Sequence, residues 1–331
     1  MVIKSRLLMV DFINRYRDKT VAITGASGYL ASALIAAFRE TSAHILRISR
    51  QDLYPILGAE AVRADVCAYK SWEEIVLRSD VIFHLAGNTS VYAATKDPVE
   101  SFNSAVLPIV HLVAAAQAVG CKRRVVFAST ATVYGLTGNL PVAEDTEPKP
   151  ITNYDLYKLF AEKQLDLASK QGILEGVSLR LANVYGPSSS ASSAGDRGIL
   201  NRITRMALQG ATLQLYGGGD YLRDYVYIDD VVRAFMIAGV EGGLAGHSFN
   251  VATGKSITVR EAFHLVASSV EVITGKRVHI ERVRWPDGAD PIEFRNFIAD
   301  IASFQGTTGW RPTISLNQGV DCLIKHFSEA Y

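Results

Sequence analysis

Cysteine is scarce: the 331 residues hold three, Cys67, Cys121 and Cys322. Their odd number and wide spacing exclude a disulfide framework and a cysteine-built metal site. That usage fits a reducing compartment, so a cytoplasmic location is expected. An excess of charge of either sign is also absent, with 34 Lys and Arg against 33 Asp and Glu. Nothing therefore attracts a polyanion in bulk; no nucleic-acid partner is expected, and any phosphate must be held by a local site. No apolar run is read as reaching the roughly 18 residues of a transmembrane helix, and no membrane association is expected. Residues 1–18 lack the apolar stretch and small-residue cleavage site of a secretory signal. Leu7, Leu8, Val10, Phe12 and Ile13 instead predict one face of a short helix, an N-terminal extension lying on the surface. Asn88-Thr89-Ser90 spells a glycosylation acceptor, which without a secretory signal carries no meaning. Repeats and long low-complexity stretches are missing, and the Ser188–Ser193 run reads as a loop.

What is present is alternation. Thr20–Thr24, His44–Ser49, Val81–Leu85, Arg124–Ser129 and Val177–Leu181 read as strands. Tyr29–Arg39, Val99–Val119 and Asn153–Gln171 have helical periodicity. Strand and helix in turn predict an α/β fold, a Rossmann-type doubly wound parallel sheet covered on both faces. Such a sheet binds ligands at the carboxyl ends of its strands. After Gly186-Pro187 the alternation weakens, so 19–186 is expected as the dinucleotide-binding domain. Residues 187–331 then form mostly a smaller substrate-binding lobe, with segments near 225–251 returning to the first domain and no clean boundary.

The first strand runs directly into Gly25-Ala26-Ser27-Gly28-Tyr29-Leu30-Ala31 and a helix. This order presents unpaired backbone N–H groups to a pyrophosphate. Gly25 permits the turn, Gly28 permits close approach, and Ser27, Tyr29 and Leu30 complete the expected cofactor loop. At the end of the second strand an acidic residue would bond the adenosine ribose of NAD. Here Ser49-Arg50 stands instead. Either Arg50 grips a 2′-phosphate, which favours NADP, or it is a solvated arginine and the pocket takes NAD. Asp65-Val66 is either a loop meeting the adenine or a turn.

Tyr154 and Lys158 are four residues apart on one helical face. A phenol ordinarily titrates near 10 and is a poor base at neutral pH, but an adjacent ammonium stabilises its phenolate. The pair can move a proton while hydride moves between a substrate carbon and a nicotinamide. Tyr157 has Ala161 four residues on and cannot play this part. The fourth strand expected from the sequence ends in Ser129-Thr130, whose hydroxyls face either the ligand crevice or the protein backbone.

Together these motifs, with Phe83-His84-Leu85-Ala86-Gly87, Asn103, Val133-Tyr134-Gly135, Leu179 to Pro187, Arg223 to Asp230 and Gly309-Trp310-Arg311-Pro312, resemble the extended short-chain dehydrogenase/reductase superfamily. The likeness is to its nucleotide-sugar epimerase and dehydratase members, and covers Lys19 to the C-terminus. It implies that Thr130 is the catalytic hydroxyl, Tyr154 the acid/base, and Lys158 the holder of the nicotinamide ribose. It implies that Leu85, Ala86, Gly87, Asn103 and Ser129 line the cofactor. Ser90, Asn183, Leu200 and Arg223 fall at substrate positions, with Arg284 as a second diphosphate grip and Tyr216 and Leu213 flanking the base. The partner implied is a nucleotide-diphosphate sugar, and by analogy a homodimer forms through the helices of 99–119 and 153–171.

Dehydratases of the superfamily carry Asp-Glu after the catalytic Thr, and decarboxylases keep the Glu; here Ala131 and Thr132 stand there. Dehydration needs a further acid and base, so it is disfavoured. The Ser-Thr-Ala-Thr-Val-Tyr-Gly wording resembles UDP-galactose 4-epimerases, whereas Ser49-Arg50 leans toward an NADPH-dependent 4-ketoreductase. A cofactor-sensing regulator on the same fold would generally lose the Tyr/Lys pair, which is kept here. The base and the sugar stay open.

Overall fold

The computed structural model describes residues 12–187 and 198–329. The Ser188–Ser193 run, and Leu7, Leu8 and Val10 of the extension, lie outside the described residues. Seven parallel strands form the main sheet: β1 (Thr20–Thr24), β2 (His44–Ser49), β3 (Ala59–Arg63), β4 (Val81–His84), β5 (Arg124–Thr130), β6 (Glu175–Leu181) and β10 (His247–Val251). Their spatial order is β10-β6-β5-β4-β1-β2-β3. Parallel strands buried on both faces need near-continuous apolar sequence, and β1 and β4 supply it. Edge strand β3 alternates and is mostly exposed, which is why it carries no strong strand signal.

One face carries α1 (Tyr29–Phe38) and α8 (Ile228–Val240), which share a core with Val21, Ile23, Phe83 and Val126. The other carries α2 (Tyr69–Arg78), α5 (Leu107–Val119) and α6 (Asn153–Lys170), packed on Ala22, Leu46, Ile82 and Val125. A short helix, α3 (Val91–Lys96), precedes α4 (Pro98–Ala105). The helical stretch expected over 99–119 is two helices, α4 and α5, broken before Pro108. Contrary to the sequence-based expectation, Pro98–Val119 is long and apolar enough by length and composition to cross a membrane. Here Ile109, Leu112, Val113, Ala115 and Ala116 of α5 pack into the sheet-face core.

The C-terminal lobe is built on two small sheets. One joins β7 (Asn183–Tyr185), β9 (Leu222–Tyr227) and β11 (Ser256–Thr258), and the other pairs β8 (Leu213–Tyr216) with β12 (Ile280–Val283). Strand β7 runs beside β9, which places Asn183 opposite Tyr225. Helices α7 (Ile199–Leu208) and α9 (Val259–Thr274) cover β8 and β12. The apolar cluster under α1 continues through Leu200, Leu213, Val266 and Leu323, so one core spans both lobes. Of the extension, Phe12 and Tyr16 are buried, and the Tyr16 hydroxyl donates to the Met236 carbonyl at 2.6 Å.

The sheet reverses direction of winding between β1 and β4, and the crevice at their carboxyl ends is where such a fold takes its ligand. Gly25, Gly28, Leu85 and Tyr154 line that crevice.

Candidate active site

Gly25 follows β1 with φ +68°, and a Cβ there would lie 2.9 Å from the backbone of Ala86. Only glycine lets the β1 and β4 ends close on one another like this. The Thr24 hydroxyl stitches the same two ends, accepting from the amides of Leu85 and Ala86 at 3.1 Å. Its other neighbour is Nδ1 of His84, whose burial pulls the imidazole down to about 3 and keeps it neutral. Gly28 caps α1 without a side-chain bond, so the first amides of the helix face the crevice, the arrangement that holds a pyrophosphate. A Cβ at Gly28 would meet the Gly25 carbonyl at 3.0 Å. The cradle therefore fits a dinucleotide, with Gly25, Gly28, Tyr29, Leu30, Leu85 and Gly87 along its wall.

Ser49 ends β2 beside this loop, since the Ala26 amide bonds the Ile48 carbonyl at 3.1 Å. The Ser49 hydroxyl accepts the Gln51 amide at 3.0 Å, and Arg50 is exposed. Asp65 is a turn residue: it is exposed, and its carboxylate takes the Cys67 amide at 3.0 Å. Val66 is buried, and its carbonyl accepts the Trp72 indole at 2.7 Å. The Asn103 carbonyl is 3.6 Å from the Cys67 sulfur, which sets Asn103 beside the Asp65–Cys67 turn.

Two adjoining chambers open from the crevice, of about 620 Å³ over the glycine loop and about 720 Å³ toward the C-terminal lobe. Tyr154 and Asn183 line both; Thr130 lines the larger, and Ser129 and Lys158 the smaller. Tyr154 sits in the first turn of α6, whose start is capped by the Thr152 hydroxyl accepting the Asp155 amide at 3.2 Å. One turn on, the Lys158 ammonium donates to the Ala128 carbonyl at 2.8 Å and lies 5.9 Å from the Tyr154 ring centre. Burial pulls Lys158 down to about 8, with Glu162 pushing it back up. The Tyr157 hydroxyl turns away to the Pro98 carbonyl at 3.2 Å. Ser129 bonds Glu162, which is paired with Arg180 at 2.7 Å inside the protein.

The larger chamber differs in part from the sequence-based picture. Tyr216 lines it, stacked on Trp285 at 5.3 Å. Leu213 does not flank a base: it is fully buried in the core. Arg284 is exposed and points outside the chamber wall, because the alternation of β12 and its extension turns Trp285 inward instead. Ser90 and Leu200 belong to the smaller chamber, and the Ser90 hydroxyl caps α3 by accepting the Ala93 amide at 3.2 Å. Arg223 lines the larger chamber, but its guanidinium donates to the carbonyls of Leu222, Glu293 and Arg295. It thereby fixes the 293–295 segment against the wall. Arg202 and Arg295 are the cations that sequence reasoning missed. Arg295 is pulled down to about 10 by burial and by Arg223 beside it. Neither sits in a recognisable pattern, and an arginine on an amphipathic helix such as α7 reads as a solvated face.

The sequence pattern of the NAD dependent epimerase/dehydratase family matches residues 21–252. The chain belongs to that family. Among curated members, it is 28% identical to the UDP-glucose 4-epimerase of Mycolicibacterium smegmatis, over 92% of this chain and 97% of that one. It is 27% identical to the dTDP-4-dehydro-6-deoxyglucose reductase of Escherichia coli, over 93% and 98%. The solved UDP-glucose 4-epimerase of Thermus thermophilus, in complex with NAD, superposes with a TM-score of 0.82 at 26% identity, covering 94% of this chain and 100% of that one. The family thus joins epimerases and reductases built on one extended short-chain dehydrogenase/reductase fold, and this chain shares that fold over 94% of its length.

Proposed function

We propose that the chain is a nucleotide-sugar 4-epimerase acting through a transient 4-keto sugar. The observation that carries this reading is the position of Tyr154, which stands in the wall common to the cofactor cradle and the larger chamber. When bound, the dinucleotide supplies the acceptor and donor of hydride. The Tyr154 phenolate takes the proton of the sugar hydroxyl and later returns it, as Lys158 lowers the cost of the phenolate charge. The Thr130 hydroxyl holds the sugar oxygen. Asn183, Arg202 and Arg295 suit the diphosphate, since guanidinium forks match phosphate oxygens. Chamber volume toward Tyr216 and Trp285 leaves space for a base and for the keto sugar to turn. The test is to supply UDP-galactose with either dinucleotide: UDP-glucose forms without net accumulation of reduced cofactor.

An NADPH-dependent reductase of nucleotide 4-keto sugars is the second reading, and Arg50 favours it. Consumption of NADPH in proportion to an added 4-keto sugar would select that reading. For the cofactor we favour NADP in either case, because the end of β2 offers Ser49 and Arg50 and no carboxylate. Replacing Arg50 with Ala is expected to weaken NADP(H) about tenfold while moving NAD(H) little, as one charge-assisted contact to a phosphate is lost; fluorescence titration of both reduced cofactors checks it.

We place the enzyme in the cytoplasm as a homodimer. Val99, Phe102, Leu156, Phe160 and Leu167 are exposed on α4 and α6, an apolar patch of the kind that marks a protein interface.

A further inference from the structure

The Thr130 hydroxyl is the outer end of a string of hydrogen bonds. Its oxygen lies 2.8 Å from that of Thr132 and accepts the Thr132 amide at 3.2 Å. The Thr132 hydroxyl bonds one carboxyl oxygen of Asp155. The other oxygen of Asp155 accepts the Thr152 hydroxyl at 2.7 Å. Thr130 and Thr132 line the larger chamber, whereas Asp155 has no exposed surface. In the sequence Asp155 is the residue after Tyr154 and the last of a Thr-x-x-Asp helix start, a pattern that marks it only as a capping residue.

Each hydroxyl has one proton, so the string has a single direction at any moment. With Asp155 protonated, it donates to Thr132, Thr132 donates to Thr130, and Thr130 donates into the chamber. With Asp155 ionised, Thr132 donates inward to the carboxylate and Thr130 donates to Thr132. Thr130 then shows the chamber only a lone pair. A sugar oxygen beside Tyr154 needs a second donor both while its proton is leaving and when it is a carbonyl.

We propose that Asp155 is a positioning residue which, through Thr132, sets the direction of the Thr130 hydroxyl and so governs whether the sugar oxygen receives its second hydrogen bond. This rests on the epimerase reading above. The groups facing Asp155 come from several elements: Thr152 at the start of its own helix, Thr132 from the turn after β5, and Asp290 and Arg295 from the C-terminal lobe. Burial pushes the carboxyl above the usual carboxylate range, and Asp290 adds to this; Thr132, Thr152 and Arg295 pull it back. A group raised in this way keeps its proton at low pH and loses it as pH rises. The donating direction is therefore the low-pH one. Lys158 loses its own charge separately, near 8.

The experiment is the pH profile of kcat for UDP-galactose conversion by the wild type, Asp155→Asn, Thr132→Val and Thr132→Ser. In the wild type kcat should step down as rising pH ionises Asp155, in a step separate from that of Lys158. In Asp155→Asn, whose amide donates to Thr132 and whose carbonyl accepts from Thr152, that step should vanish while the Lys158 step stays. Thr132→Val should lower kcat about tenfold with KM within about twofold, the mark of an interaction made in the transition state, and Thr132→Ser should recover most of the loss. Persistence in Asp155→Asn of the step assigned to Asp155, or wild-type kcat in Thr132→Val, would overturn the inference. The Thr132 pair decides the matter even where Asp155→Asn does not fold. Absence of any turnover by the wild type, or full turnover by Tyr154→Phe, would instead remove the functional reading and this inference with it.

Discussion

Tyr154→Phe should lower turnover of the nucleotide sugar by about 10²- to 10⁴-fold, the range that a positioned acid/base contributes. The ring is kept, so packing at the start of α6 changes little, and only the proton-bearing oxygen is removed. Tyr154 is half-buried between the two chambers, and the phenols beside it do not take its place. The Tyr157 hydroxyl is held by the Pro98 carbonyl. Tyr225 is buried, and burial pushes it up to about 12, against the direction a base needs. Binding of dinucleotide and of nucleotide sugar should survive in the variant, because the glycine cradle and the arginines of the larger chamber are untouched. Steady-state kinetics together with calorimetric titration separate the two effects. A variant that binds neither ligand would place Tyr154 in a structural role.

Gly25→Ala should abolish measurable dinucleotide binding and lower the melting temperature. Two costs combine at this position. The left-handed backbone, at φ +68°, costs an L-residue about 1–2 kcal/mol. The new methyl would also stand 2.9 Å from the Ala86 backbone, which cannot yield as a flexible side chain can. Relief requires the β1 and β4 ends to move apart, and Thr24 ties them through Leu85 and Ala86. The amides of the cradle then lose their common aim. Gly58, at φ +78° with nothing within 4 Å, supplies the control: Gly58→Ala carries the backbone cost alone and should leave dinucleotide affinity intact.

The sheet is legible where local pattern and tertiary role coincide. Thr20–Thr24 and His44–Ser49 can be read to the residue, because short β-branched and apolar runs bounded by turn residues have few other uses. The seventh strand, β10, is expected only as a returning segment, since nothing local tells that His247–Val251 crosses back to lie beside β6. The residues proposed for proton transfer stand out because a tyrosine and lysine one helical turn apart follow a glycine loop at a strand end. The cations proposed for the diphosphate do not. Arg284 follows an expected order of residues, yet it faces outward, while Arg295 reaches the chamber from a loop whose shape is fixed by Arg223 holding its carbonyls. The Thr132–Asp155 contact spans 23 positions, and pairs of that separation become visible only when helix and strand are set side by side.

In the proposed reaction hydride leaves carbon 4 of the sugar and returns to the same carbon within one binding event, with Tyr154 moving the proton. UDP-galactose carrying deuterium at carbon 4, incubated with the purified protein in ordinary water, tests this directly. Mass analysis of the UDP-glucose formed should find the deuterium retained at carbon 4, with no lasting rise in reduced dinucleotide. Replacement of the label by solvent hydrogen, or reduced dinucleotide accumulating mole for mole with sugar, would contradict it.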